Sequence, residues 1–251
     1  NIVVQGEDRE TTIIDGGQNG SVVTFVNGES EDATLIDFTI QGGNSSSGGG
    51  IFCNYLFTKP TLENLIIKEN FATYGGGISI VNPSDPIIKN VIITNNIASN
   101  NGGGVNIVEG KGRFDNVTIS GNTAQSGGGL FGIMDADPSL LNCILWNNIP
   151  QEIYFSEEDY PNSITITYSD IQGGEAGIVT DDNGTVYWEE GNIVADPLFC
   201  DAENGDFTVR SDSPVLGAGQ NGADMGAFGV GCEPISGCTD PESCNYNPDA
   251  T

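Results

Sequence analysis

Residues 116–132 read NVTISGNTAQSGGGLFG, and this order of residues carries most of the information about the fold. An asparagine precedes an alternating apolar run, and a second asparagine, small residues, three glycines and another apolar run follow. Similar phrases recur as TLENLIIKENFA (61–72), IIKNVIITNNIA (87–98), RFDNVTISGNTA (113–124) and SLLNCILWNNIP (139–150). Repeats with a period of about 20–50 residues are typical of solenoids, so the repeat is interpreted before any single motif.

Two series of asparagines mark the copies of the repeat, and both advance by 26 residues. The first series is Asn64, Asn90, Asn116 and Asn142, and the second is Asn70, Asn96, Asn122 and Asn148. Weaker copies flank them at 34–43 and 166–174, and runs of three glycines lie between the copies. Asparagines at the same bend of stacked coils can hydrogen-bond along the axis, so we predict that both series form structural ladders.

The composition of the repeat selects one architecture among those with this period. Helical repeats are disfavoured because the units are rich in β-branched residues, asparagine and glycine. Leucine-rich repeats are disfavoured because isoleucine and valine take the apolar positions. We predict an all-β solenoid of about 26 residues per coil with strands stacked in parallel. The predicted inward stacks are Leu65, Val91, Val117 and Cys143; Ile67, Ile93, Ile119 and Leu145; Ile51, Ile78, Val105 and Leu130; and Cys53, Ile80 and Ile107.

The charge of the chain excludes some partners. It has 35 acidic residues, seven basic residues and no histidine, for a net charge of −28. No nucleic-acid partner is expected, because contacts to phosphate need lysine and arginine. No apolar run reaches about 18 residues, so no membrane insertion is expected. We also expect no organic cofactor. The acidity fits solubility in salty water or the binding of a divalent cation such as Ca²⁺.

The glycine and asparagine motifs resemble the repeats of chlamydial polymorphic outer-membrane proteins and related surface β-helices. The GGGI or GGGL phrases and the strands ending in xNxA carry this likeness, although glycine replaces the family's alanine and Ile or Leu its phenylalanine. Residues 12–40 resemble the first coils of pectin-lyase-like proteins. The resemblance implies a right-handed, single-stranded parallel β-helix on the outer surface of a bacterium or secreted by it.

The same resemblance implies the division of the chain. We place the β-helix at 1–194, with earlier coils expected upstream of Asn1. Residues 195–234 resemble a closing segment and are expected to cap the open end. Residues 235–251 resemble the start of a Cys-rich module of marine Bacteroidetes. In a secreted protein Cys200, Cys232, Cys238 and Cys244 would form disulfides; we favour Cys200–Cys232 with Cys238–Cys244, although four cysteines allow three pairings.

The loops between the repeats hold the candidate chemistry. Asp85, Glu109, Asp135 and Asp137 are expected to stack with Glu157, Glu158 and Asp159 as an acidic ridge at one corner. The last three are candidate Ca²⁺ ligands, as are Asp240, Asn245, Asn247 and Asp249 in the tail, since carboxylate and amide oxygens suit a hard cation. No catalytic constellation is evident. If the chain is an enzyme, its catalytic residues are Arg113, Asp135 and Asp137.

Aromatic residues are the candidate sugar contacts, and Trp146 and Tyr55 lead them. Trp146 holds an outward position, where it either contacts a glycan or is buried under residues 150–190. The other candidates are Phe57, Tyr74, Tyr154, Tyr160, Tyr187 and Trp188. We expect a non-enzymatic adhesin or structural protein that binds extracellular polysaccharide or a cell-surface glycan. The alternatives are a Ca²⁺-dependent polysaccharide lyase or glycosidase, and a self-associating stalk or filament subunit.

Overall fold

The computed structural model describes residues 2–55, 57–157 and 160–234, and its regular structure is almost entirely β-strand. In chain order the strands are β1 Val3–Gln5, β2 Ile13–Asp15, β3 Val23–Phe25, β4 Thr34–Gln41, β5 Asn44–Ser47, β6 Ile51–Asn54, β7 Thr61–Lys68, β8 Phe71–Tyr74, β9 Ile78–Val81, β10 Ile87–Lys89, β11 Ile92–Thr94, β12 Ile97–Asn101, β13 Val105–Val108, β14 Arg113–Asp115, β15 Thr118–Ser120, β16 Leu130–Ile133, β17 Ser139–Leu141, β18 Ile144–Trp146, β19 Ile153–Phe155, β20 Asn162–Thr167, β21 Asp170–Ile171, β22 Gly184–Trp188, β23 Phe199–Asp201, β24 Asp206–Arg210 and β25 Val230–Cys232. Three short 3₁₀ helices span Glu175–Gly177, Ala202–Asn204 and Gln220–Gly222.

The strands form a parallel β-solenoid of about eight turns with about 26 residues per turn, as the repeat predicts. One regular coil contains β10, β11, β12 and β13, and each of these strands pairs with its equivalents in neighbouring coils. Ile92, for example, lies between Ile66 and Thr118. The equal coil length keeps this register constant, so residues 26 apart become neighbours along the axis.

The predicted inward stacks form the core of the solenoid. All of their side chains are fully buried, including the thiols Cys53 and Cys143. Strand pairing aligns Val105 with Ile78 on one side and with Leu130 on the other. Each apolar side chain therefore packs against similar side chains above and below it, which removes apolar surface from water along the whole axis.

The two asparagine series have different roles. In the second series each Nδ2 donates to the Oδ1 of the next asparagine, at 3.0 Å for Asn70–Asn96 and Asn96–Asn122 and 2.9 Å for Asn122–Asn148. The same Oδ1 atoms also accept backbone N–H groups. The buried carboxylate of Glu152 ends this ladder by accepting the backbone N–H and Nδ2 of Asn148.

The first asparagine series occupies backbone bends instead of a continuous ladder. Asn64, Asn90, Asn116 and Asn142 have φ of 52–53°, the left-handed region that asparagine tolerates better than most residues. Their amides have mixed partners. Asn64 donates to Asp37, Asn116 donates to the carbonyl oxygens of Asp224 and Gly226, and only Asn142 donates within the series, to Asn116 Oδ1 at 3.4 Å. The prediction of a ladder therefore describes the second series and not the first.

The glycine runs allow neighbouring coils to approach closely at one corner. Gly102 has φ of 68°. A Cβ atom on Gly76 would lie 2.6 Å from the carbonyl oxygen of Gly103, and one on Gly103 would lie 2.6 Å from that of Gly128. Any larger residue would push the coils apart at this corner.

Residues 195–234, which we call the C-terminal strap, do not have the position expected of an end cap. They run back along the outer face of the solenoid. Gly226 N–H donates to Asn142 O, and Ala227 N–H donates to Thr118 Oγ1. Near the first coil, Arg9 lies 3.9 Å from the ring centroid of Phe228 and donates to Asn90 O. The strap thus bridges distant coils from the side.

The strap has a small core and a disulfide of its own. Val209, Val215 and Met225 pack on Ile144, whose side chain points out of the solenoid. The Cys200–Cys232 disulfide joins β23 to β25, as favoured from the sequence. Cys238 and Cys244 lie outside the described residues, as does the tail at 235–251. None of the helices among the described residues has the length and hydrophobicity that crossing a bilayer requires.

Candidate functional site

One corner of the solenoid is built from loops that keep the spacing of the repeat. Asp85 N–H donates to Thr58 O at 2.9 Å, Lys111 N–H to Ser84 O at 2.9 Å, and Asp137 N–H to Gly110 O at 3.1 Å. These backbone bonds continue the coil-to-coil register beyond the strands. Side chains on successive loops therefore lie directly above one another.

A ladder of alternating charge occupies this corner. We call Lys59, Asp85, Lys111, Asp137 and Ser163, each 26 residues apart, the corner ladder. Lys59 Nζ lies 3.6 Å from Asp85 Oδ2, Lys111 Nζ lies 2.7 Å from Asp137 Oδ2, and Ser163 Oγ donates to Asp137 Oδ1 at 2.6 Å. The sequence contained the signal for the corner ladder, because its residues have the same 26-residue spacing as the asparagines.

A groove of about 650 Å³ lies beside the corner ladder, and we call it the corner groove. It is lined by Phe57, Lys59, Pro83, Ser84, Asp85, Glu109, Lys111, Arg113, Met134, Asp135 and Tyr160. Three of the seven basic residues of the chain converge here with three acidic ones. The corner predicted to be an acidic ridge is thus balanced in charge where it lines the groove.

Asp85 anchors the basic side of the groove. Its side chain is only 11 % exposed, and its Oδ2 lies 2.7 Å from Arg113 Nη2 and 3.6 Å from Lys59 Nζ. Its Oδ1 is buried and has no hydrogen-bond partner. The side chain of Arg113 is 58 % exposed, so the guanidinium faces the groove with the carboxylate beneath it.

The neighbouring ion pair fixes the protonation of Lys111 and Asp137. The hydrogen bond and the negative charge of Asp137 raise the pKa of Lys111 above its ordinary value. Burial alone would raise the pKa of Asp137, but the hydrogen bonds from Lys111 and Ser163, with the charge of Lys111, outweigh burial and lower it. Both groups therefore stay charged near neutral pH.

The three residues proposed for an enzyme are only partly brought together. Arg113 and Asp135 line the corner groove, whereas Asp137 lines an adjoining recess of about 200 Å³ with Arg113 and Lys111. Asp135 is exposed and has φ of 64°. Asp137 is engaged by Lys111 and Ser163, and Arg113 by Asp85.

The family described as "Right handed beta helix region" matches residues 49–213, more than half of the 251-residue chain. The chain belongs to the right-handed β-helix family. A search of curated proteins found no match, and neither did a search of solved structures.

The two leading aromatic candidates lie on different parts of the β-helix. Trp146 is half-buried and packs against the core of the strap, and it lines a recess with Gln172 and Phe199. Tyr55 is 58 % exposed and does not line the corner groove. The aromatic rings at the groove are those of Phe57 and Tyr160, which are 71 % and 64 % exposed.

The candidate Ca²⁺ ligands receive no support from the described part of the β-helix. Glu157 is exposed. Glu158, Asp159 and the tail residues Asp240, Asn245, Asn247 and Asp249 lie outside the described residues. Across residues 2–55, 57–157 and 160–234, no three His, Cys, Asp or Glu side chains are grouped so that they could hold a metal ion.

Proposed function

We propose that the chain is a non-enzymatic binding protein, secreted or displayed on the outer surface of a bacterial cell. In this proposal the rigid β-helix holds an extracellular polysaccharide or cell-surface glycan in the corner groove. The observation that carries the proposal is the pairing of charges there. Arg113 and Lys59 share Asp85, and Lys111 pairs with Asp137.

This pairing favours binding over proton transfer. A lyase base must accept a proton, and a glycosidase needs one carboxylic acid that is still protonated. The pKa of Lys111 is raised and that of Asp137 is lowered, so the first does not serve as a base and the second does not serve as an acid at neutral pH. Arg113 is engaged in an ion pair with Asp85, with its guanidinium nitrogen 2.7 Å from Asp85 Oδ2.

The other groups in the groove suit a sugar chain. Aromatic rings provide flat apolar surfaces against which the C–H faces of sugars pack, and Phe57 and Tyr160 present such rings. Charged side chains of both signs can donate to and accept from hydroxyl groups, as Lys111 and Glu109 could in the same groove. A groove on a rigid support is well suited to a polymer, because little protein entropy is lost on binding.

The proposal is tested by retention on immobilised polysaccharides. The panel contains neutral laminarin and galactomannan and anionic alginate and carrageenan. We expect at least one polymer to retain the wild-type protein. Phe57→Ala should weaken that retention about 2- to 12-fold, corresponding to the ~0.5–1.5 kcal/mol that an aromatic contact contributes beyond its buried area.

Tyr187→Ala is the matched control, because Tyr187 is 50 % exposed and lies on β22, away from the lining of the corner groove. It should leave retention unchanged. Absence of retention on every polymer would contradict the proposal. If both variants weakened retention equally, the corner groove would not be the binding site.

A further inference from the structure

A second depression lies on the outer face of the sheet that contains β9, β13 and β16, and we call it the neutral trough. Its volume is about 400 Å³, and its ten lining residues include Tyr74, Asn100, Asn101, Asn106, Phe131 and Met134. None of these ten is charged, in a chain with 35 acidic and seven basic residues. Such a surface is unusual on a protein with a net charge of −28.

The register of the solenoid builds the floor of the trough. Ser79, Asn106 and Phe131 are paired across β9, β13 and β16, with side chains on the outward side of the sheet. The Phe131 ring stacks on Tyr154 of the next coil, with centroids 5.7 Å apart and planes 9° from parallel. The Tyr154 hydroxyl donates to Asp181, which fixes this second ring. Phe131, which is only 3 % exposed, is therefore a fixed apolar base beneath the trough.

The edge of the trough provides amide groups. Asn100 Nδ2 donates to the Tyr74 hydroxyl at 3.2 Å, which orients a ring that is 40 % exposed. Asn106 Nδ2 donates to Ser79 Oγ at 3.3 Å. Asn101 is half-buried, and within the described residues its side-chain amide forms no hydrogen bond. It leaves two donors and one acceptor for a ligand.

The trough and the corner groove share one lining residue. Met134 lines both of them, and its φ of 58° marks the bend where β16 ends and the corner loop begins. A chain-like ligand seated in the corner groove would therefore extend over Met134 into the trough without leaving the surface of the protein.

We infer that the neutral trough is a second subsite that takes an uncharged sugar unit of the polymer held in the corner groove. This inference rests on the proposed function. A carboxylate or sulfate ester would lose hydration in the trough without gaining a cationic partner, because no lysine or arginine lines it. The net charge of −28 opposes an anion further. Hydroxyl groups match the free amide of Asn101, and the ring of Tyr74 offers a flat face to the sugar.

The test is isothermal titration with neutral β-1,3-glucan and β-1,4-mannan oligosaccharides of three and six units, alongside six-unit oligosaccharides of alginate and carrageenan. We expect one of the neutral hexamers to bind about tenfold more tightly than its trimer, equivalent to ~1.4 kcal/mol, because only the hexamer reaches both sites. Asn101→Ala and Tyr74→Ala should each remove most of this gain and leave trimer affinity unchanged. Asn19→Ala and Tyr187→Ala, at exposed positions elsewhere, are the matched controls.

The outcomes separate the two proposals. If only the anionic hexamers bind, and Phe57→Ala weakens them while Asn101→Ala does not, the trough inference is overturned and the proposed function stands. The trough inference is also overturned, and the proposed function stands, if the neutral hexamer and trimer bind with equal affinity. If no oligosaccharide binds and no polymer retains the protein, both proposals are overturned. Thermal unfolding of each variant verifies that the fold is intact.

Discussion

Replacing Asn122 with alanine tests the asparagine ladder at its centre. The Oδ1 of Asn122 accepts two groups from Asn96, the backbone N–H and Nδ2, both at 3.0 Å. Its own Nδ2 donates to Ile93 O and to Asn148 Oδ1. All three asparagines are buried, so water does not replace the lost partners. A buried donor left without its acceptor costs about 1–3 kcal/mol, and with two donors affected we expect a loss of about 2–5 kcal/mol.

The assay is thermal unfolding followed by circular dichroism, with Asn90→Gly as the control. For a chain of this size the expected loss lowers the midpoint by about 4–20 °C. Asn90 also recurs every 26 residues, but it is exposed, and its φ of 52° is one that glycine adopts freely. Asn90→Gly should therefore cost less than about 1 kcal/mol. Equal losses in the two variants would refute the different roles assigned to the two series.

Three further perturbations address the rest of the fold. Burial raises the pKa of Glu152 from 4.5 to about 7. The free energy of unfolding of the wild-type protein therefore falls as pH rises through this interval, because the carboxyl group ionises more readily in the unfolded chain. Glu152→Gln should gain stability relative to wild type between pH 4.5 and 7, by up to roughly 3 kcal/mol in chemical denaturation; a difference independent of pH would contradict this. Cys200→Ser removes the disulfide that closes the strap and should cost about 2–4 kcal/mol, with faster hydrogen exchange in β23–β25 than in β10–β18; uniform acceleration would contradict a local role. Arg9→Met retains an apolar stem but loses the bond to Asn90 O and the contact with Phe228, so exchange near Phe228 should accelerate; unchanged exchange there would show that Arg9 does not hold the strap.

The coils could be predicted from the sequence because the period and the strand alternation together determine burial. Once Val91 and Ile93 are assigned inward, their equivalents 26 residues away must be inward as well. The strap could not be predicted this way, since residues 195–234 lack the period. A signal was nevertheless present, because Ile92 and Ile144 occupy outward positions yet are only 1 % exposed. Ile144 packs against the core of the strap, and Ile92 lines a recess with Phe207 of the strap. Apolar residues at outward positions indicate an added layer.

The site was predicted less completely than the fold. The loop spacing predicts that Asp85, Glu109 and Asp135 share a corner, whereas Arg113 was named only as a catalytic candidate. The spacing of Lys59, Asp85 and Lys111 could have revealed the corner ladder. The aromatic members could not be found by spacing. Phe57 and Tyr160 come from loops whose conformations do not repeat, and Phe57 has φ of 67°. Irregular loops carry no periodic signal, so a contact between them depends on the folded structure.

The most direct test of the account is to follow the chain length of a polysaccharide that the protein retains. Purified protein is incubated with that polymer, with and without Ca²⁺, and the products are separated by size. We predict that the polymer stays bound and keeps its length under both conditions, because Arg113, Lys111 and Asp137 are held in ion pairs. Shortening of the polymer, particularly if it requires Ca²⁺ and is lost in Arg113→Ala, would contradict the account and identify a lyase or glycosidase.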